Sequence, residues 1–395
     1  MEFPGGRVPF TDQLSFEGGP LAPRAPISCY RTLDSKGSNI PGTQVLHSLS
    51  EELALRMYTT MVKLQTMDVI FYEAQRQGRF SFFMTSNGEE ATAIGSAAAL
   101  SPEDHVFSQY REHGVLLYRG FSFHDMANQC FGNVLGHGKG RQMPIHYGSK
   151  ALNFQTVSAP LATQMPHAVG AAYALKMQGK RVVVAVYFGE GAASEGDFHA
   201  SLNFAATLSA PVLFICRNNG WAISTPATEQ YRGDGIAGRG PSYGIPTIRV
   251  DGGDARAVYN ATLEARNIAL GQSCPVLIEA MSYRSGHHST SDDSSRYRTA
   301  EAMQEWRARD PVTRFQNFLS EAGWWSADQE KALRVAVRKE AVQSLAAAQK
   351  IEKPPLSDLF TDVYKEMPWH IADQQEEAFK HAEQHPECLH GVPLK

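Results

Sequence analysis

With 395 residues, 43% of them hydrophobic, the chain is long enough to bury a large core, as one α/β domain with extensions or as two domains. A formal net charge of −4 leaves no electrostatic footprint for nucleic acid, and no run of eighteen apolar residues offers a membrane span. The five cysteines, Cys29, Cys130, Cys216, Cys274 and Cys388, are scattered without a Cys-x-x-Cys pair, the pattern of a reduced, intracellular chain rather than a disulfide framework.

The opening Met-Glu-Phe-Pro-Gly-Gly is neither an apolar signal core nor an Arg-rich transit peptide, so a mitochondrial location requires a presequence ahead of it. Residues 1–46 are rich in Pro and Gly. Such a stretch cannot bury enough apolar surface to fold alone, and is expected to be disordered or laid over another surface. Residues 47–323 alternate helix and strand patterns, and 324–395 form a helical extension and a polar, His-rich tail. Ser48-Leu-Ser-Glu51 has capping-box spacing, and Leu53, Met57, Met61, Leu64, Val69 and Phe71 suit one face of a helix that Gly78 ends. That periodicity assigns the Met and aromatic positions to the core. A second helix over 89–100 presents Ala91, Ala93, Gly95, Ala97 and Ala98, small enough for close packing on a sheet.

Within Asp104 to His113 a short apolar strand delivers Tyr110 and Arg111 to a loop, where a guanidinium fork suits two diphosphate oxygens. Taken alone, Arg111 reads as a solvated or structural charge rather than a diphosphate ligand. Gly132 to Gly148 is a glycine-rich loop of surface or active-site character. Its His137 and His146 lack any His-Glu-x-x-His spacing, which sets zinc aside. Ser158-Ala159-Pro160-Leu161-Ala162-Thr163-Gln164 precedes a Gly/Ala-rich helix ending near Gly179. Its carbonyls and hydroxyls are hard oxygen ligands for an alkali cation, though plain helix entry uses the same groups.

The stretch from Arg181 to Trp221 organises the rest. Two β-branched apolar runs, ending at Phe188 and at Cys216, flank a helix-compatible segment, which predicts a βαβ unit in a buried parallel sheet. Their carboxyl ends then lie side by side, at the edge where open α/β sheets bind ligands. Gly189-Glu190-Gly191 nearly matches a dinucleotide fingerprint, but Glu190 would set a carboxylate against a bare pyrophosphate. A divalent cation between them turns that carboxylate into a ligand, and Asn219 supplies a second oxygen.

Further on, Arg232-Gly-Asp-Gly235 reads as a loop turn rather than an adhesion motif. Strand-like Pro246 to Val250, a helix to about Leu270 and a buried strand from Val276 to Met281 lead to Tyr283–Arg298. His287 and His288 there point to opposite sides of an extended segment, so one of them suits a given pocket. Ser289, Thr290, Ser291, Asp292 and Asp293 make a polar loop with little intrinsic ordering. A helix from Ala327 to Lys350 follows Trp324-Trp325, which read as interface or core anchors.

Gly-Glu-Gly followed 29 positions after Glu190 by Asn219 resembles the thiamine diphosphate motif, usually Gly-Asp-Gly and then Asn-Asn. With the text around it, Tyr187 to Asp197 and Cys216 to Thr225, the chain is similar to the alpha subunits of the branched-chain 2-oxo acid dehydrogenases, with strong motifs from about Gly78 to Gly323. The resemblance implies a doubly wound α/β fold that binds thiamine diphosphate and Mg²⁺. It places Mg²⁺ on Glu190, Asn219 and the Trp221 carbonyl, and the cofactor on Tyr110, Arg111, Ala159, Gly191, Ala192, Arg217 and His288. K⁺ is implied at Ser158, Pro160, Thr163 and Gln164, regulatory phosphorylation at Ser289, and proton transfer or acyl-group orientation at His288.

The departures are informative. Glu190 replaces the common Asp, as in branched-chain rather than pyruvate-specific relatives; Trp221 replaces Tyr where only a backbone carbonyl is asked for. Ala159 replaces a Ser and lacks its hydroxyl, and Thr299 stands where a second phosphosite often has Ser. The implied partners are a beta subunit in an α₂β₂ heterotetramer, which supplies the glutamate that activates the aminopyrimidine, a lipoyl-bearing acyltransferase core, and a regulatory kinase and phosphatase. The implied substrates are 2-oxo acids from Leu, Ile and Val, with pyruvate or another 2-oxo acid as the alternative. The implied location is the mitochondrial matrix in a eukaryote and the cytoplasm in a bacterium. A scaffold protein with a vestigial cofactor site is the reading from another class, which intact Glu190, Asn219, Arg111 and His288 disfavour.

Overall fold

The computed structural model describes residues 25–394, together with 10–14 and the backbone of 2–3 and 6–7, so most of the Pro- and Gly-rich stretch before residue 25, which the resemblance implies is part of an extended arm on a partner subunit, lies outside the described residues. Seven strands form one sheet: β1 (Cys29–Tyr30), β2 (His105–Phe107), β3 (Phe154–Gln155), β4 (Val184–Gly189), β5 (Val212–Asn218), β6 (Thr247–Asp251) and β7 (Val276–Met281). Their spatial order is β1-β6-β7-β5-β4-β2-β3, and every pairing is parallel.

Alternation along the central strands explains why they read as unbroken apolar runs. Val184, Val186 and Phe188 of β4 and Val212, Phe214 and Cys216 of β5 face helices Gln164–Met177 and Gly196–Thr207. Ala185, Tyr187, Leu213 and Ile215 face the opposite layer, built from helices Glu51–Arg76, Glu90–Ala99 and Ala255–Gln272. With a helical layer on each side, both faces of a strand must be apolar. Gly95 sets one of the close approaches, since a Cβ there would stand 2.8 Å from the Ala255 carbonyl oxygen. Among the described residues no helix is long and apolar enough to cross a membrane.

The first long helix departs from its sequence reading in two places. Ser50, not Ser48, is the N-cap, accepting from the Leu53 amide at 3.2 Å. Val69 is 50% exposed, because the core-facing stripe runs Met57, Met61, Leu64, Asp68, Phe71. Asp68 holds that position as a buried carboxylate, accepting from the Ser86 amide at 2.5 Å and bonded to His113 Nε2 at 2.7 Å. The helix Ala327–Ala348 packs on the same layer, with Trp325 edge-on to Tyr58 at 5.2 Å, so this Trp anchors core.

Residues 27–34 are held by polar side chains of the α/β domain, with Leu33 buried in its core and Cys29–Tyr30 paired to β6. Asp254 accepts from the Thr32 and Leu33 amides, each at 2.6 Å, Asp234 accepts from Ile27, and Arg314 donates to the Leu33 and Asp34 carbonyls. The segment therefore needs no core of its own to be ordered, which a composition argument overlooks. Asp234, from the Arg-Gly-Asp turn, is bound to Arg249 at 2.9 Å. Arg249 also pairs with Glu279, which is buried and accepts from the Ile236 and Ala237 amides and from Asn218. Glu279→Ala is expected to cost about 3–5 kcal/mol in urea unfolding, because it takes one of two carboxylates from a buried guanidinium and leaves the Asn218, Ile236 and Ala237 donors without their acceptor.

Candidate active site

Since β4 and β5 are parallel neighbours with Gly189 opposite Arg217, Glu190 and Asn219 leave the sheet side by side. The Asn219 amide donates to Glu190 Oε2 at 3.3 Å. Gly191 is required where the two loops cross, because a Cβ there would lie 2.6 Å from that of Ala222. It leads into the short turn Ala192–Ser194, with Ala192 buried. Gly220, at φ +81°, folds the chain back so that the Trp221 amide donates to Asn219 Oδ1 at 3.1 Å. A groove of about 670 Å³ passes Asn219 and Trp221 along the ends of β5 and β7.

Glu190 is 1% exposed, and its Oε1 has no hydrogen-bond partner. Burial raises its pKa, and the Glu89 carboxylate adds to the effect. A buried acid left this way is neutralised by a proton or by a cation. The oxygens on hand are a carboxylate, the Asn219 amide carbonyl and the Trp221 main-chain carbonyl, all hard donors, so the residues present fit a divalent ion such as Mg²⁺.

Beside the Glu190 and Asn219 loops lie the charged residues. Arg111 donates to the Thr85 carbonyl at 2.5 Å and to the His288 carbonyl at 3.1 Å, and Tyr110 lies under it with its ring centroid 5.6 Å away. His288 Nδ1 is 3.0 Å from Arg284 Nη1 and 3.4 Å from Arg111 Nη2. Burial, then Arg111 and Arg284, push this imidazole down to about 3 against the opposing pull of Asp292. It is therefore neutral near pH 7, with Nδ1 accepting from guanidinium and its proton on Nε2. His287 turns the other way, its Nδ1 bonded to Ser294 Oγ at 2.9 Å.

Arg217 reaches inward. Its Nε is bound by Glu112 and its Nη1 by Glu89 at 2.7 Å. Burial alone would lower its pKa, but the two carboxylates outweigh that and hold it above the ordinary value. Gln109 ties the same loop to β4, accepting from the Gly189 amide at 3.0 Å. Sequence reasoning missed Glu89 and Glu112. Before an Ala-rich helix, Gly88-Glu89-Glu90 looks like ordinary acidic residues at a helix start, and no motif signals otherwise.

The polar loop after His288 is more ordered than its composition suggests. Asp292 accepts from the His288 amide at 2.8 Å and from the Tyr297 hydroxyl at 2.6 Å, while Thr290 exchanges two bonds with the backbone of Phe83. Ser289 is 6% exposed. By contrast, Lys139 and Arg141 of the glycine-rich loop pair with Asp362 in the C-terminal segment rather than with these groups.

A second oxygen-lined turn sits before helix Gln164–Met177. Ser158 Oγ and Thr163 Oγ1 are 2.7 Å apart, and Thr163 Oγ1 donates to the Pro160 carbonyl at 2.9 Å. Gln164 spends its amide nitrogen on the Tyr187 carbonyl of β4, leaving a buried Oε1 without a partner. Ala162 adopts φ +66°, which holds the turn tight, while Ala159 is exposed. Hydroxyls, a carbonyl and an orphaned amide oxygen fit a monovalent cation.

A family model described as the dehydrogenase E1 component matches residues 58–357. The chain is 55% identical over 376 residues to the mitochondrial 2-oxoisovalerate dehydrogenase subunit alpha 2 of Arabidopsis thaliana, covering 95% of this chain and 79% of that one. It is 53% identical over 387 residues to the mitochondrial 2-oxoisovalerate dehydrogenase subunit alpha of Homo sapiens, covering 98% and 86%. Against the protein of the same description in Dictyostelium discoideum it is 54% identical over 363 residues, covering 91% and 82%.

Proposed function

Because the chain belongs to the dehydrogenase E1 component family, we propose that it is the alpha subunit of a branched-chain 2-oxo acid dehydrogenase, acting with a beta subunit, thiamine diphosphate and Mg²⁺ on 2-oxo acids derived from Leu, Ile and Val. The observation that carries this reading is the orphaned Glu190 carboxylate beside Asn219 at the carboxyl edge of the sheet. Glu190, Asn219 and the Trp221 carbonyl would hold Mg²⁺, while Arg111, Tyr110 and the Gly191-Ala192 backbone would hold the diphosphate. Arg217 would act chiefly through Glu89 and Glu112. Thiamine diphosphate, when bound, supplies the electron sink for decarboxylation. His288, neutral and steered by two guanidinium groups, presents Nε2–H to orient the acyl group or to move a proton.

Ser158, Pro160, Thr163 and Gln164 would take K⁺ and, through the Gln164–Tyr187 bond, steady the strand that carries Glu190. The beta subunit would complete an α₂β₂ assembly and its active site, and a lipoyl-bearing acyltransferase would receive the acyl group. Residues 47–323 would form the cofactor domain. The relatives named as mitochondrial support the mitochondrial matrix in a eukaryotic cell, with the cytoplasm as the bacterial counterpart.

The reading is tested by a substrate panel on the chain reconstituted with its beta subunit. A higher kcat/KM for 3-methyl-2-oxobutanoate than for pyruvate is expected; a preference for pyruvate would overturn the substrate assignment.

Regulation by a kinase and phosphatase would act on Ser289. Phosphorylation adds about −1.5 to −2 charges beside Asp292, and the buried serine leaves no room for them, so the loop must open. Opening removes His288 from Arg111 and Arg284. Stoichiometric phosphorylation is expected to abolish turnover and amide-exchange protection over residues 287–298. Normal protection with normal turnover would contradict it.

A further inference from the structure

We infer that Glu89 is a positioning residue that joins the metal-binding half of the site to its diphosphate-binding half, an assignment that rests on the function proposed above. Glu89 stands at the N-cap position of helix Glu90–Ala99, but its carboxylate caps nothing. It is 1% exposed and is spent on residues of the site. Oε1 accepts from Asn219 Nδ2 at 2.5 Å, Oε2 accepts from Arg217 Nη1 at 2.7 Å, and Arg111 Nε lies 3.8 Å from Oε2.

Two consequences follow from these contacts. The Asn219 amide is held by both ends, with Nδ2 donating to Glu89 and Oδ1 accepting from the Trp221 amide. Reversing it would set donor against donor and oxygen against carboxylate, so Oδ1 is fixed as the oxygen end. The second consequence concerns charge. Arg111 and Arg217 are matched by Glu89 and Glu112, which leaves Glu190 as the one carboxylate of this group for a cation to neutralise. One side chain thus sets the ligand atom of Asn219 and the placement of two guanidinium groups.

The test uses Glu89→Gln, which keeps the shape and removes the charge, in the reconstituted heterotetramer. Titration of Mg²⁺–thiamine diphosphate followed by tryptophan fluorescence, and of Mn²⁺ by electron paramagnetic resonance, would read the two halves separately. We expect both affinities to fall about 10–100-fold, the range for lost outer partners of a metal site, read at a temperature where the cofactor-free heterotetramer is fully folded, since taking one of the two carboxylates from Arg217 also lowers its unfolding midpoint. Simple electrostatics predicts the opposite for the diphosphate, since removing a negative charge would tighten an anion. Unchanged or tighter cofactor binding would therefore overturn the inference. If Glu89→Gln does not assemble, Glu89→Asp, which keeps the charge and shortens its reach, is expected to weaken both affinities in the same direction, and unaltered affinities would again overturn it. An unmodified heterotetramer that binds no Mg²⁺–thiamine diphosphate would instead overturn the functional reading beneath it.

Discussion

Glu190→Gln is expected to abolish Mg²⁺-dependent binding of thiamine diphosphate and, with it, turnover. Losing an outer partner of a metal ligand already costs about 10–100-fold, so losing the one carboxylate ligand should cost at least about a hundredfold. The amide keeps the volume and can still accept from the Asn219 backbone, so the local fold has no reason to change. The cofactor-free protein should unfold no earlier than the unmodified one, because the substitution removes a buried charge whose Oε1 has no partner. Paired measurements of cofactor affinity and thermal midpoint check this. Loss of affinity together with loss of folding would show that Glu190 is structural.

His288→Ala is expected to lower kcat by about 10²–10⁴-fold, the usual contribution of a positioned proton-transfer group, while cofactor affinity changes far less. The ring lies 5.8 Å from that of Tyr110, and both charged groups that meet its Nδ1 are cations. Its pKa, lowered from 6.5 to about 3 by burial and then by Arg111 and Arg284, fixes the sign of the pH dependence. Above pH 6.5 neither the folded nor the unfolded imidazole is protonated. As pH falls from 6.5 toward 3 the unfolded chain takes the proton first, so this group removes stability over that window. The unmodified protein should thus lose more stability below pH 6.5 than His288→Asn. Its rate profile should show no acid limb near 6.5 from this residue. An imidazole titrating near 6.5 by NMR in the folded protein would contradict both statements.

The parts legible in sequence were those that composition or local spacing dictates. Strands β4 and β5 are buried on both faces, so their apolar runs mark them without any partner being known. Glu190 and Asn219 announce themselves because each follows directly on a strand end. Glu89 and Glu112 do not, since their meaning comes from Arg217, which is 128 and 105 positions away. The order of residues 27–34 depends on Asp254, 222 positions from Thr32, and no window of Pro-rich sequence contains that information. The loop at Ser289 misleads for a similar reason. Its serines and aspartates look like solvated turn residues until Asp292 meets Tyr297 and Thr290 meets Phe83.

The most direct measurement is anomalous scattering from Mn²⁺, in place of Mg²⁺, in crystals of the heterotetramer grown with thiamine diphosphate. The account predicts one ion per alpha chain, with Glu190 Oε1, Asn219 Oδ1 and the Trp221 carbonyl oxygen at about 2 Å. A cofactor bound with its metal elsewhere, or with Glu190 Oε1 left without a cation, would contradict it.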